Sequence, residues 1–122
     1  MHLVFISDNN SNILLIESIA RHLGFKASSF CLNPSIETTT LLDKTLTLFG
    51  IKTVNSIPKH IKYFNLTKEM YVISIDNVIN DIKYNINEYW NIPEKCYDEK
   101  QFFTLFYIVK RKLKKIEKLT ID

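Results

Sequence analysis

The stretch HLVFISDNNSNILLIESIARHLGFKASSFC, residues 2–31, decides the fold. Its opening, HLVFIS, is a near-continuous apolar run of the kind that makes a strand buried on both faces. Residues 8–12, DNNSN, interrupt it with five polar, turn-forming side chains. Over residues 13–23 apolar side chains return at helical spacing in Ile16, Ile19, Ala20 and Leu23, and Gly24 supplies the helix stop. Residues 25–31, FKASSFC, read as a second strand. Strand, helix and strand in this order form a β-α-β unit, with parallel strands joined by a right-handed crossover.

The same alternation continues outward. Ser35 can cap a helix running through Leu41, Leu42, Leu46 and Phe49 and closed by Gly50. Pro58 opens a short helix over residues 59–64. MYVISI, residues 70–75, predicts a central strand bounded by Asp76, and a short helix follows over residues 78–82. KYNINEYW, residues 83–90, alternates as a last strand with Tyr84, Ile86 and Tyr89 as packing residues. Residues 96–119 predict a long final helix. Asp98 and Gln101 complete a capping box, and Tyr97 can staple onto Phe102. Phe102, Leu105, Phe106, Val109, Leu113 and Ile116 form one core stripe at helical spacing. The expected architecture is α/β, a three-layer sandwich with a four-stranded parallel sheet flanked by helices. Ligands of such sheets bind beyond the carboxyl ends of the strands, so residues 7–12, 31–34, 76–80 and 90–97 are where a site is expected.

Composition agrees with one domain over residues 1–122. The chain is 46% hydrophobic and 24% charged, and its two glycines and three prolines leave no long flexible linker. The net charge of +3 is mild and gathers in Lys110, Arg111, Lys112, Lys114, Lys115 and Lys118. That run lies toward the end of the last helix, where cations suit the helix dipole, and it lacks the interleaved aromatics of a single-strand binder. It reads as a solvated face, with no nucleic acid or membrane as partner. No apolar stretch is long enough to span a bilayer, and the first strand begins at once, so a cytoplasmic location is expected with Cys31 and Cys96 as free thiols. Two cysteines and three scattered histidines have no zinc spacing, and neither metal nor cofactor is implied.

The candidate chemistry sits in the first loop. A short loop entering a helix aims backbone N–H groups at one spot, and the helix N-terminus favours an anion. Ser7, Asn9, Asn10, Ser11 and Asn12 add donors there, while Asp8 opposes an anion. The segment VFISDNNSNILLIESIARHLG (residues 4–24) resembles the opening strand, phosphate loop and first helix of low-molecular-weight tyrosine phosphatases and thioredoxin-coupled arsenate reductases. The likeness continues in order through LFGIKTVNSIPKHIKYFNL, EMYVISID and EYWNIPEKCYDEKQF, nearly the whole chain.

The resemblance implies an anion-binding loop over Ser7, Asp8, Asn9, Asn10, Ser11, Asn12 and Ile13. It also implies that the catalytic residues of the family's Cys-x5-Arg motif are missing. Ser7 stands at the nucleophile position and Ile13 at that of the arginine, while Glu94 or Asp98 lies near the general-acid position. A serine needs an adjacent base, and an isoleucine cannot clamp an oxyanion. Each loss is expected to remove about 2.7–4 kcal/mol or more of barrier lowering, by analogy with one lost oxyanion donor. Asp98 reads equally as a helix cap and Glu94 as a surface residue. Cys31 and Cys96 do not fit the relay spacing of the reductases, and read as buried or incidental thiols.

The function expected from this is a catalytically impaired or inactive homologue with a binding or regulatory role, taking a small oxyanion or a protein as partner. A divergent active phosphatase or arsenate reductase using Ser7 is the alternative. A third reading, a response-regulator receiver with Asp76 as phosphoacceptor and Asp8 as magnesium ligand, suffers because Asp76 comes about one helix-strand unit too late. Tyr63, Phe64, Tyr89, Trp90 and Tyr97 are candidate aromatics for a contact surface.

Overall fold

The computed structural model describes residues 1–8, 12–32, 47, 50, 51, 67, 69–75, 86–92 and 99–120. Four strands form one parallel sheet: β1 (His2–Ser7), β2 (Lys26–Cys31), β3 (Met70–Ile75) and β4 (Glu88–Trp90), in the order β2-β1-β3-β4. Two helices are described, α1 (Ile13–His22) and α2 (Glu99–Thr120). The α/β class, the four-stranded parallel sheet and the opening β-α-β unit are as expected. Of the helix predicted over residues 35–49, Thr47 is described and is helical, and Gly50, the predicted stop, takes φ +68° with its N–H on the Thr47 carbonyl. The helices predicted over residues 59–64 and 78–82, and the capping residues Tyr97 and Asp98, lie outside the described residues. No described helix is long and apolar enough to cross a membrane.

β1 is central because it is buried along its length, from Leu3 to Ser7. Its alternate side chains feed two cores. Leu3 and Phe5, with Ala27, Cys31, Ile73, Ile75 and Trp90, join residues of α1 and α2 in the larger one. Val4 and Ile6 meet Phe30 and Val72 on the opposite face. The period of two and the in-register pairing of β1 with both neighbours produce this division.

α1 departs from a one-sided amphipathic helix. Residues Ile13 through Ala20 are all buried, including Glu17 and Ser18. The helix packs against β1, β2 and α2, so its polar residues must find internal partners. Ser18 Oγ donates to the Leu14 carbonyl at 2.9 Å, and Ser29 Oγ on β2 donates to Glu17 Oε1 at 2.7 Å. Arg21 Nε donates to the Ala27 carbonyl at 2.9 Å and lies 3.6 Å from Glu17 Oε2. The helix ends as read from the sequence. Gly24 takes φ +95°, its N–H reaches the Arg21 carbonyl, and the Phe25 N–H reaches the Ala20 carbonyl.

α2 buries the predicted stripe: Phe102, Leu105, Val109, Leu113 and Ile116 are inside, and Phe106 packs at the edge. The last strand is shorter than expected. Residues 86 and 87 are described but outside β4. Asn87 explains the late start, because its side-chain Oδ1 accepts from the Val72 N–H at 2.8 Å while its own N–H donates to the Val72 carbonyl. A side chain thus occupies a place that a ladder carbonyl would hold, and regular pairing begins at Glu88. Tyr89, expected to pack, points outward at 52% exposure, and Trp90 is the buried aromatic.

Candidate functional site

The carboxyl ends of β1 and β2 meet at Ser7 and Cys31, which are direct partners in the parallel register. Ser7 is 1% exposed, and its Oγ lies 3.5 Å from Cys31 Sγ, within hydrogen-bond reach. The Leu32 N–H donates to the Ser7 carbonyl at 2.9 Å and carries the ladder one step past the strands. Asp8 follows, half-buried.

Across the loop, Asn12 is buried and its carbonyl accepts the first helical bond, from the Ile16 N–H at 2.9 Å. Among the described residues no side-chain hydrogen bond caps the start of the helix. Ile13, at the position that the resemblance matches to an arginine, is 1% exposed and belongs to the larger core. Asn9, Asn10 and Ser11, and likewise Asp76, Glu94, Cys96 and Asp98, lie outside the described residues.

The electrostatics follow from this packing. Burial pushes the Cys31 thiol up from its ordinary value; the Ser7 hydrogen bond offsets part of this and the charge of Asp8 adds to it. The thiol therefore stays protonated near neutral pH and is a poor nucleophile there. Nor can a protonated thiol serve Ser7 as a base. His2 stands at the far end of β1, bonded to Ser28 Oγ at 2.9 Å, and His22 stands at the far end of α1 against Phe106. Arg21 is engaged with Ala27 and Glu17. The strand ends bring together, among the described residues, the Ser7 hydroxyl, the protonated Cys31 thiol and Asp8. Among the described residues no cluster of three His, Cys, Asp or Glu side chains could hold a metal ion.

In unfolded chain both thiols are open to reagent. In the native protein Cys31 is expected to react with iodoacetamide at pH 8 at least about tenfold more slowly than in urea, read residue by residue by mass spectrometry. Equal rates in the two states would show that Cys31 is an accessible, ionised thiol.

The sequence reads Cys31 as a buried or incidental thiol; it is buried, and it is also the direct partner of Ser7. The signal was present in the pattern, because both residues close strands of one β-α-β unit and adjacent parallel strands end side by side. A second polar cluster, at the opposite ends of β3 and β4, was not legible. Tyr71 Oη donates to Glu88 Oε2 at 2.7 Å, and Trp90 Nε1 reaches Glu88 Oε1 at 3.4 Å. Burial first, then the bond to Glu88 and its charge, push the Tyr71 phenol up to about 12. Lys112 Nζ lies over the Trp90 ring, 5.7 Å from its centroid.

No protein-family model and no curated protein sequence matches the chain. Solved structures do. An arsenate reductase in the reduced state is 18% identical, with a TM-score of 0.73 over 94% of this chain and 95% of that one. An arsenate reductase from Archaeoglobus fulgidus is 15% identical, with a TM-score of 0.72 over 93% and 97%. An arsenate reductase in the oxidized state is 22% identical, with a TM-score of 0.70 over 93% and 94%. The chain has the fold of these proteins, the one shared with low-molecular-weight phosphatases.

Proposed function

We propose that this chain is a single-domain, cytoplasmic, catalytically inactive or strongly impaired homologue of low-molecular-weight phosphatases and arsenate reductases, with a binding or regulatory role. One observation carries the reading. At the strand end and helix start where the related enzymes keep a thiolate and a guanidinium, this chain has a buried hydroxyl, Ser7, and a core isoleucine, Ile13. Neither can do what the missing pair does, which is to attack a phosphorus or arsenic centre and grip its equatorial oxygens. Asp8 next to Ser7 further disfavours an anionic substrate. The helix N-terminus keeps its backbone dipole, so the same place retains a weak preference for a small oxyanion as ligand.

The test is turnover. Purified chain is expected to release no para-nitrophenol from para-nitrophenyl phosphate above buffer, and to consume no arsenate with thioredoxin, thioredoxin reductase and NADPH. The Ser7→Ala variant is expected to behave identically. Turnover by the parent chain that disappears in Ser7→Ala would establish the divergent-enzyme reading instead.

A further inference from the structure

The outward face of α2 carries an arrangement that the site at the strand ends does not use. The helix holds seven of the sixteen lysines and arginines and two of the thirteen carboxylates, so its net charge of +5 exceeds the +3 of the whole chain. The rest of the protein is net acidic. Lys100, Lys110, Arg111, Lys114, Lys115 and Lys118 are exposed, while Lys112 turns inward over Trp90. Phe103 and Tyr107, one helical turn apart, are 62% and 56% exposed. Arg111, a further turn on, stacks over the Tyr107 ring at 5.7 Å. Phe103, Tyr107, Arg111 and Lys118 therefore lie along one ridge opposite the core stripe, about 22 Å long at the helical rise.

We propose that this ridge is a docking surface for an acidic amphipathic helix of another protein. The proposal is independent of whether Ser7 is catalytic. Charge and its segregation choose the occupant. Exposed aromatics occupy the first half of the ridge and most of its cations the second. A protein helix with one apolar half and one acidic half complements that division. A nucleic-acid strand repeats its phosphates evenly and asks for aromatics interleaved with cations. A bilayer takes up the apolar face of a helix, and here that face is buried in the core. A second copy of the same ridge is excluded by like charge. Helix dipoles favour antiparallel pairing, and carboxylates favour a helix N-terminus. The partner helix thus places its acidic N-terminal half on Lys110 to Lys118 and its apolar C-terminal half on Phe103 and Tyr107.

A fluorescein-labelled helical peptide of about 18 residues, about five turns, is the probe, with glutamates in its N-terminal half and leucines four apart in its C-terminal half. Anisotropy with the full chain is expected to show saturable binding that weakens as salt is raised. Tyr107→Ala and the double variant R111E/K114E are each expected to weaken it about tenfold or more. A peptide of the same composition with its charges interleaved is expected to bind about tenfold more weakly. A lysine-for-glutamate peptide is expected to bind R111E/K114E better than the parent chain, a rescue that misfolding cannot imitate. Failure of that rescue, equal binding of the interleaved peptide, or no peptide binding overturns the proposal. So does tighter binding of a thymidine oligonucleotide or of phosphatidylserine vesicles.

Discussion

Replacing Trp90 by alanine is expected to destabilise the protein by about 3–5 kcal/mol. The side chain is fully buried at the end of β4 and packs on Phe5 with ring centroids 5.5 Å apart at a 56° tilt. Its indole also reaches Glu88 and lies under Lys112. Truncation removes apolar contact from the larger core, between the edge strand β4 and Phe5 of the central β1, and leaves a cavity there. A loss of this size is a large part of the stability of a typical native protein, about 5–15 kcal/mol. Urea unfolding read by far-UV circular dichroism measures it. Tyr89→Ala is the internal control and is expected to change stability by less than about 0.5 kcal/mol, since that ring points to solvent. The two residues are neighbours in sequence on opposite faces of one short strand. If Tyr89→Ala proved the costlier change, the register of β4 on β3 would be wrong by one residue.

Ile13→Arg is the second large effect. It places at the start of α1 the residue type that the related enzymes use there. It is expected to cost about 3–5 kcal/mol, because the side chain at this position lies in the core and a guanidinium cannot lose its charge. Ile13→Val, which removes one methylene, is expected to cost about 0.5–1.5 kcal/mol. The consequence for function is direct. The combined Ser7→Cys and Ile13→Arg variant is expected to remain without phosphatase activity, since an arginine is useful only in a loop shaped to turn it toward the anion. Unchanged unfolding midpoints, together with hydrolysis of para-nitrophenyl phosphate by the double variant, would mean that the loop needs only those two residues to work.

How far the residues alone could be read depends on the range of the forces involved. The strand β1, the helix α1 with its glycine cap and the stripe of α2 were legible because each rests on local periodicity and local backbone chemistry. The parallel pairing of β1 with β2 followed from the β-α-β rule, and the place of β3 on the other edge of β1 came from the structure. β4 begins later than the alternation predicts, because the side chain of Asn87 competes with the ladder, and that bond needs Val72 from a distant strand; Ile86 packs as expected, against the core of Val4 and Ile6, and Tyr89 does not. Phe103 and Tyr107 fall off the predicted core stripe of α2, and the structure adds that Arg111 lies over the Tyr107 ring.

By itself the sequence determined that this is an α/β chain with a parallel sheet, and that the first loop holds neither a cysteine nor an arginine. Those are matters of residue type and short-range pattern. Only the tertiary structure decided that Ile13 sits in the core, that Ser7 is held against Cys31, and that Trp90 and not Tyr89 is buried. Burial and partnership are properties of elements far apart in the chain, and they exist only after the sheet and helices have packed.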